Sequence, residues 1–164
     1  MTHADPVEIE RKFLVKRLPD LARARCYTVR QGYCTHPDDS ISMRLRQKSD
    51  QLFLTVKTGE GPVRSEREIP IEAEQFNVLW PATTGRRIEK KRWIGPLGNG
   101  HLFELDIFCG AHQPLQMVEV EFDTLEDAEA FTPPDWFGRE VSTDKAYRNK
   151  SIALWGVPQQ PMSV

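Results

Sequence analysis

The chain has 164 residues, the length of one domain, and its 39% hydrophobic and 28% charged residues exclude disorder as the main state. Its 22 Lys and Arg against 24 Asp and Glu leave a net charge of -2. That balance excludes a uniformly basic nucleic-acid surface, so the placement of the charges carries the information.

Most of the sequence alternates apolar and polar residues with period two, the mark of strands whose faces meet different environments. In chain order the spacing predicts strands at residues 7–15, 26–34, 40–48, 51–58, 65–71, 87–94, 100–108 and 117–123. Short turn-like connectors, such as Ser49-Asp50, favour antiparallel neighbours. Helices are predicted at 20–25, at 73–80 with Pro81 as the stop, at 125–131 and at 144–155. Thr124 with Asp127 resembles a capping box, Pro133-Pro134 forbids continuation, and Gly156 stands where a C-terminal cap belongs. No linker or repeat divides the chain, so one domain over 1–164 is expected, with a core at about 7–155 and a fraying tail at 156–164. The fold class is mainly β, in the α+β sense: eight antiparallel strands forming a meander or barrel, with a few helices.

No apolar run approaches the ~20 residues of a membrane-spanning helix. The segment from Met1 to Pro6 lacks the basic and apolar regions of a secretory signal, so a cytoplasmic location is expected. Cys26, Cys34 and Cys109 have no CxxC spacing and are expected to be buried free thiols. His3, His36, His101 and His112 fall at termini and turns, outside any site.

On the polar faces the charges are segregated by strand. Glu8, Glu10 and Lys12 share one face; Arg44 and Arg46 follow, then Lys57, Glu66 with Glu68, Lys90 with Arg92, Glu104 with Asp106, and Glu119 with Glu121. A half-solvated sheet explains any single pair. The set as a whole asks for more, because like charges ~7 Å apart on one strand repel unless counter-charge lies between them. The acids call for a hard cation and the bases for a highly charged anion. With the ionic faces turned inward, the strands would close into a polar tunnel whose apolar outside needs helical cover.

These residues resemble the triphosphate tunnel metalloenzymes, or CYTH domain proteins. Glu8-Ile9-Glu10-Arg11-Lys12 matches the ExExK signature, followed in order by Arg44-Leu45-Arg46, Lys57, Glu66-Arg67-Glu68, Lys90-Lys91-Arg92, Glu104-Leu105-Asp106 and Glu119-Val120-Glu121. The resemblance runs from about Val7 to about Leu154. It looks closest to the short bacterial branch that is similar to inorganic tripolyphosphatases, in phrases such as residues 30–33 (RQGY) and 79–83 (LWPAT).

The resemblance implies an eight-stranded tunnel in which Mg2+ or Mn2+, two ions per site, assist hydrolysis of tripolyphosphate to pyrophosphate and phosphate. It assigns Glu8, Glu10, Glu119 and Glu121 to metal, with Glu68 and Asp106 as further ligands. Lys12, Arg44, Arg46, Lys57, Lys90 and Arg92 would grip the phosphates. Catalytic expectations fall on Lys12, on Lys90 positioning a water, and on Glu68 or Glu104 accepting its proton. Lys145, in the helix expected at 144–155, would touch the anion at a tunnel mouth, whereas Tyr33 and Tyr147 are expected to serve packing. A monomer or homodimer is expected, with no nucleic-acid or membrane partner. Thiamine triphosphatase, nucleoside triphosphatase, CYTH-type adenylate cyclase and a non-catalytic polyphosphate-binding module stay open as alternatives.

Overall fold

The structure, a computed structural model, describes residues 9–58 and 65–159. Nine strands carry it: β1 (Ile9–Val15), β2 (Arg25–Tyr33), β3 (Ile41–Lys48), β4 (Gln51–Thr58), β5 (Ser65–Pro70), β6 (Arg87–Pro96), β7 (Leu102–Phe108), β8 (Gln116–Phe122) and β9 (Phe137–Glu140). Three helices accompany them, α1 (Ala73–Leu79), α2 (Leu125–Ala130) and α3 (Asn149–Trp155). All eight expected strands are present, and β9 is added to them. The chain forms two compact units: one from residues 9–26, 92–107 and 116–144, the other from 27–58, 65–91, 108–115 and 145–159.

In the first unit the strands follow the order β6-β7-β8-β1-β9, with β6 contributing from Arg92 onward. β8 pairs antiparallel with both β1 and β7, which fixes two opposed sets of side chains. Phe13, Leu105, Val118 and Val120 share the apolar set, and the last three of them are 0% exposed. Ala128, Phe131 and Phe137 cover them, with Phe13 and Phe137 rings 5.0 Å apart. Burial of each such ring contributes roughly 1.5–3 kcal/mol. α2 starts where the Thr124 hydroxyl accepts from the Asp127 N–H at 3.0 Å, as the capping pattern predicted. It ends as Phe131 turns to extended backbone, and Arg11 Nη1 donates to the carbonyls of Ala128 (2.8 Å), which also accepts from the Phe131 N–H, and Phe131 (3.1 Å).

In the second unit the order is β5-β4-β3-β2-β6, with antiparallel pairing through β2, β3, β4 and β5. Leu45, Ile88, Phe76 and Val29 are buried, with Phe76 stacked on Trp80 at 5.1 Å. Gly32 permits a close approach here, since a Cβ on it would stand 2.5 Å from that of Thr83. Pro81 does not end the helical path at once; it sits at the start of a 3-10 turn, Trp80–Thr83, where a missing N–H costs little.

Three expectations are corrected. Residues 20–25 form no helix: Asp20 accepts from the Ala22 N–H at 2.9 Å in a local turn, and β2 begins at Arg25. The long helix at 144–155 is a 3-10 turn (Lys145–Tyr147) and α3, separated by Arg148 in extended conformation. The three cysteines are free, yet Cys26 is exposed and the others are half-buried. Among the described residues no helix is long and apolar enough to cross a membrane.

Glu140 of β9 takes two hydrogen bonds from Arg11, at 2.7 and 3.0 Å, and one from the Ser142 hydroxyl at 2.6 Å. The Arg11 hydrogen bonds hold its carboxyl below the ordinary carboxylate range. A lowered folded-state pKa adds stability above the unfolded pKa and loses it as pH falls through the folded one. Glu140→Gln is therefore expected to lower Tm by about 1–3 °C near neutrality, the solvent-screened value of a partly exposed pair. The gap from the parent should close in acid, and thermal melts across pH check both statements.

Candidate active site

The register of the first unit sets its polar face in rows. Glu10 lies opposite Glu121, Lys12 opposite Glu119, and Glu119 opposite Glu104 on its other side. Asp106 follows Glu104 at two residues' distance, on the same face of β7. Lys12 Nζ reaches Glu119 at 3.3 Å. Arg92, from β6, forks onto Asp106 with Nε at 2.7 Å and Nη2 at 2.9 Å, and turns Nη1 to Glu104 at 3.4 Å. Among the described residues, the carboxylates of Glu10, Glu104, Asp106, Glu119 and Glu121 thus share this face with the cations Lys12 and Arg92.

The imbalance shows in the ionisation of the groups. Burial raises the Glu104 pKa; Arg92 opposes the rise, while Glu119, Glu121 and Asp106 add to it. Burial works against the Arg92 charge as well, but the Asp106 hydrogen bonds and the surrounding acids outweigh it and raise its pKa. Asp106 is 3% exposed, and a carboxylate that deeply buried requires such a partner.

The second unit carries the opposite excess. Tyr33, Arg44, Thr55 and Glu68 form one cross-strand row from β2 to β5, and Ser42, Lys57 and Glu66 another. Glu68 Oε2 accepts from the Thr55 hydroxyl at 2.8 Å and from Arg46 Nη2 at 3.1 Å, with Arg44 Nη2 at 3.7 Å. The Nε of Arg44 is buried and has no hydrogen-bond partner among the described residues. An unsatisfied donor of this kind costs about 1–3 kcal/mol, which an oxyanion would recover. Burial holds the Tyr33 phenol above its ordinary pKa, against the pull of Arg44. Lys90 is 1% exposed and donates to Asn149 of α3 at 3.1 Å, while Lys150 of the same helix reaches the Ser42 hydroxyl at 3.5 Å.

The structure therefore brings Glu10, Lys12, Arg92, Glu104, Asp106, Glu119 and Glu121 to one face of the first unit. Arg44, Arg46, Lys57, Glu68 and Lys90 lie in the second unit, where Lys57 sits 3.8 Å from Glu66. Glu8 lies outside the described residues. Lys145 is exposed in its 3-10 turn, and the α3 residues that meet the basic set are Asn149 and Lys150. Thr55 and Tyr33 join the rows through register, and Tyr33 is buried as its expected packing role requires. Among the described residues no three acidic, His or Cys side chains form a ready metal cluster. The donor set is nonetheless of the right chemistry for a hard cation, since Glu10 and Glu121 are like charges placed side by side.

Over residues 6–144 the sequence matches the CYTH domain family. It is 54% identical over 147 residues to the inorganic triphosphatase of Nitrosomonas europaea, a match that covers 90% of this chain and 97% of that protein. The inorganic triphosphatase of Acetivibrio thermocellus is 36% identical over 149 residues, with coverages of 88% and 92%. The crystal structure of the inorganic triphosphatase NE1496 is similar at a TM-score of 0.80 and 51% identity, covering 93% of this chain and 97% of that one. HpAC1 from Hippeastrum, at 14% identity and a TM-score of 0.52 over 75% of this chain and 83% of that one, shares the fold alone.

The juxtaposed acids give an expectation of unusual sign. Glu121→Gln removes a like-charge neighbour of Glu10 and should raise the Tm of the protein in chelator by about 1–4 °C. Thermal denaturation with EDTA reads this directly.

Proposed function

The chain belongs to the CYTH domain family, and from that premise we propose that it is a metal-dependent inorganic triphosphatase, cleaving tripolyphosphate to pyrophosphate and phosphate. The observation that supports this reading is that the first unit gathers acids on one face and the second unit gathers bases. Acids of this kind suit a hard cation, and bases of this kind suit phosphate oxygens. The identity to two inorganic triphosphatases over nearly their full lengths supports the choice of an inorganic substrate.

Hydrolysis of a phosphoanhydride is mainly a matter of placement and charge neutralisation. Arg44, Arg46 and Lys57 would bind phosphate oxygens, with the spare Nε of Arg44 as one donor. Glu10, Glu119 and Glu121, with Glu8, have the hard oxygens to hold Mg2+ or Mn2+. A bound cation would supply charge neutralisation and make the attacking water more acidic. Lys90 would position that water and Lys12 would contact a phosphate.

Between the two expected proton acceptors, Glu104 is the better suited. Its raised pKa brings it nearer the working pH of a general base. Glu68 instead accepts from Thr55 and Arg46, which suits a residue that holds the arginines in place. Asp106, bound through both oxygens to Arg92, suits the same kind of role better than that of a metal ligand.

The test is phosphate release from tripolyphosphate, ATP and thiamine triphosphate with each metal, with cyclic AMP measured alongside. Tripolyphosphate should be turned over fastest, and only with Mg2+ or Mn2+. Glu119→Gln should lower that rate at least a hundredfold, in the range of lost electrostatic catalysis. Metal-independent turnover, or a faster organic triphosphate, would overturn the reading.

A further inference from the structure

Lys90 is among the most deeply buried side chains of the protein, at 1% exposure. Its Nζ donates to Asn149 Oδ1 at 3.1 Å and stands 5.5 Å from the centre of the Phe108 ring. Both of these contacts are with neutral groups, and each of them helps to orient the ammonium.

Each contact is itself held firmly. Phe108 is fixed by backbone bonds on either side, its own N–H to Leu115 O at 3.1 Å and the Cys109 N–H to Glu89 O at 2.8 Å. Asn149 is the first residue of α3, which is anchored by buried Ile152 and Ala153 and preceded by buried Tyr147. The neighbouring Lys150 ties the same turn to Ser42 on β3. A lysine ammonium turns about its last bond, and a rigid acceptor such as the Asn149 amide narrows the directions its protons take.

We propose that Asn149 is a positioning residue for Lys90 in the triphosphatase reaction, so that α3 is part of the working site; this rests on the function proposed above. The amide is the fitting acceptor. A carboxylate in its place would add a negative charge that repels a polyanionic substrate, whereas an apolar residue would remove this hydrogen bond from the ammonium.

The test is a double-mutant cycle on the full chain. Asn149→Leu should lower kcat about ten- to hundredfold while KM stays within about threefold, the loss expected for a hydrogen bond to a charged group. In a Lys90→Met background the same change should have no further effect on kcat, because nothing remains to be positioned. Asn149→Asp should recover part of kcat and raise KM. An Asn149→Leu loss that is equal in both backgrounds, or no loss at all, overturns the proposal. If the parent protein does not cleave tripolyphosphate, the proposed function fails. The cycle is then read in tripolyphosphate affinity by calorimetry, where additive losses overturn the positioning role and non-additive losses support it.

Discussion

Like charges crowded on one strand face can persist only if something else holds the strand in register. In the first unit that hold is the opposite face, where β1, β7 and β8 bury Phe13, Leu105, Val118 and Val120 under Phe131 and Phe137. A slip of one residue would expose this whole set and bury the acids instead. The apolar register is therefore what forces Glu10 beside Glu121 and Glu104 beside Glu119. The repulsion is a consequence of the packing, and under the proposed function it is the property a cation would relieve.

The same logic, with the sign reversed, operates in the second unit. There the strands gather guanidinium and ammonium groups, and a few acids limit the cost. Glu68 stands between Arg44 and Arg46, and Glu66 stands near Lys57. Asp106 does the corresponding work for Arg92 in the first unit. Such internal counter-ions hold long side chains in defined directions before any ligand arrives, which lowers the ordering cost of binding. A charge pattern alone does not reveal such pairing: Asp106 and Glu68 each already engage a neighbouring arginine.

Much of this was legible in the sequence because period two survives in the strands that matter. Residues 7–15, 40–48 and 117–123 show their two faces plainly, and the segregated charges point to the chemistry before any pairing is known. β9 escaped because its four residues, Phe137–Glu140, are too few to display a period. A helix was expected at 20–25, but six residues cannot repay helix nucleation, and Asp20 stabilises a turn instead. The partner of Asp106 and the reach of Asn149 were hidden for a different reason. Both depend on which strand or helix lies alongside, a fact of tertiary placement that residue spacing does not encode.

β5 shows what charge segregation does away from any ligand. It is a terminal strand in its hydrogen-bonding order, and all six residues from Ser65 to Pro70 are exposed. A bare strand of that kind invites other chains to add to it and seed fibrils. Glu66, Arg67 and Glu68 place ionic groups along it, and Pro70 removes a donor at its end. The carboxylate that pairs with Arg44 and Arg46 thus also belongs to a row of gatekeepers, and neutralising that row for a mechanistic study would erode colloidal stability at high concentration.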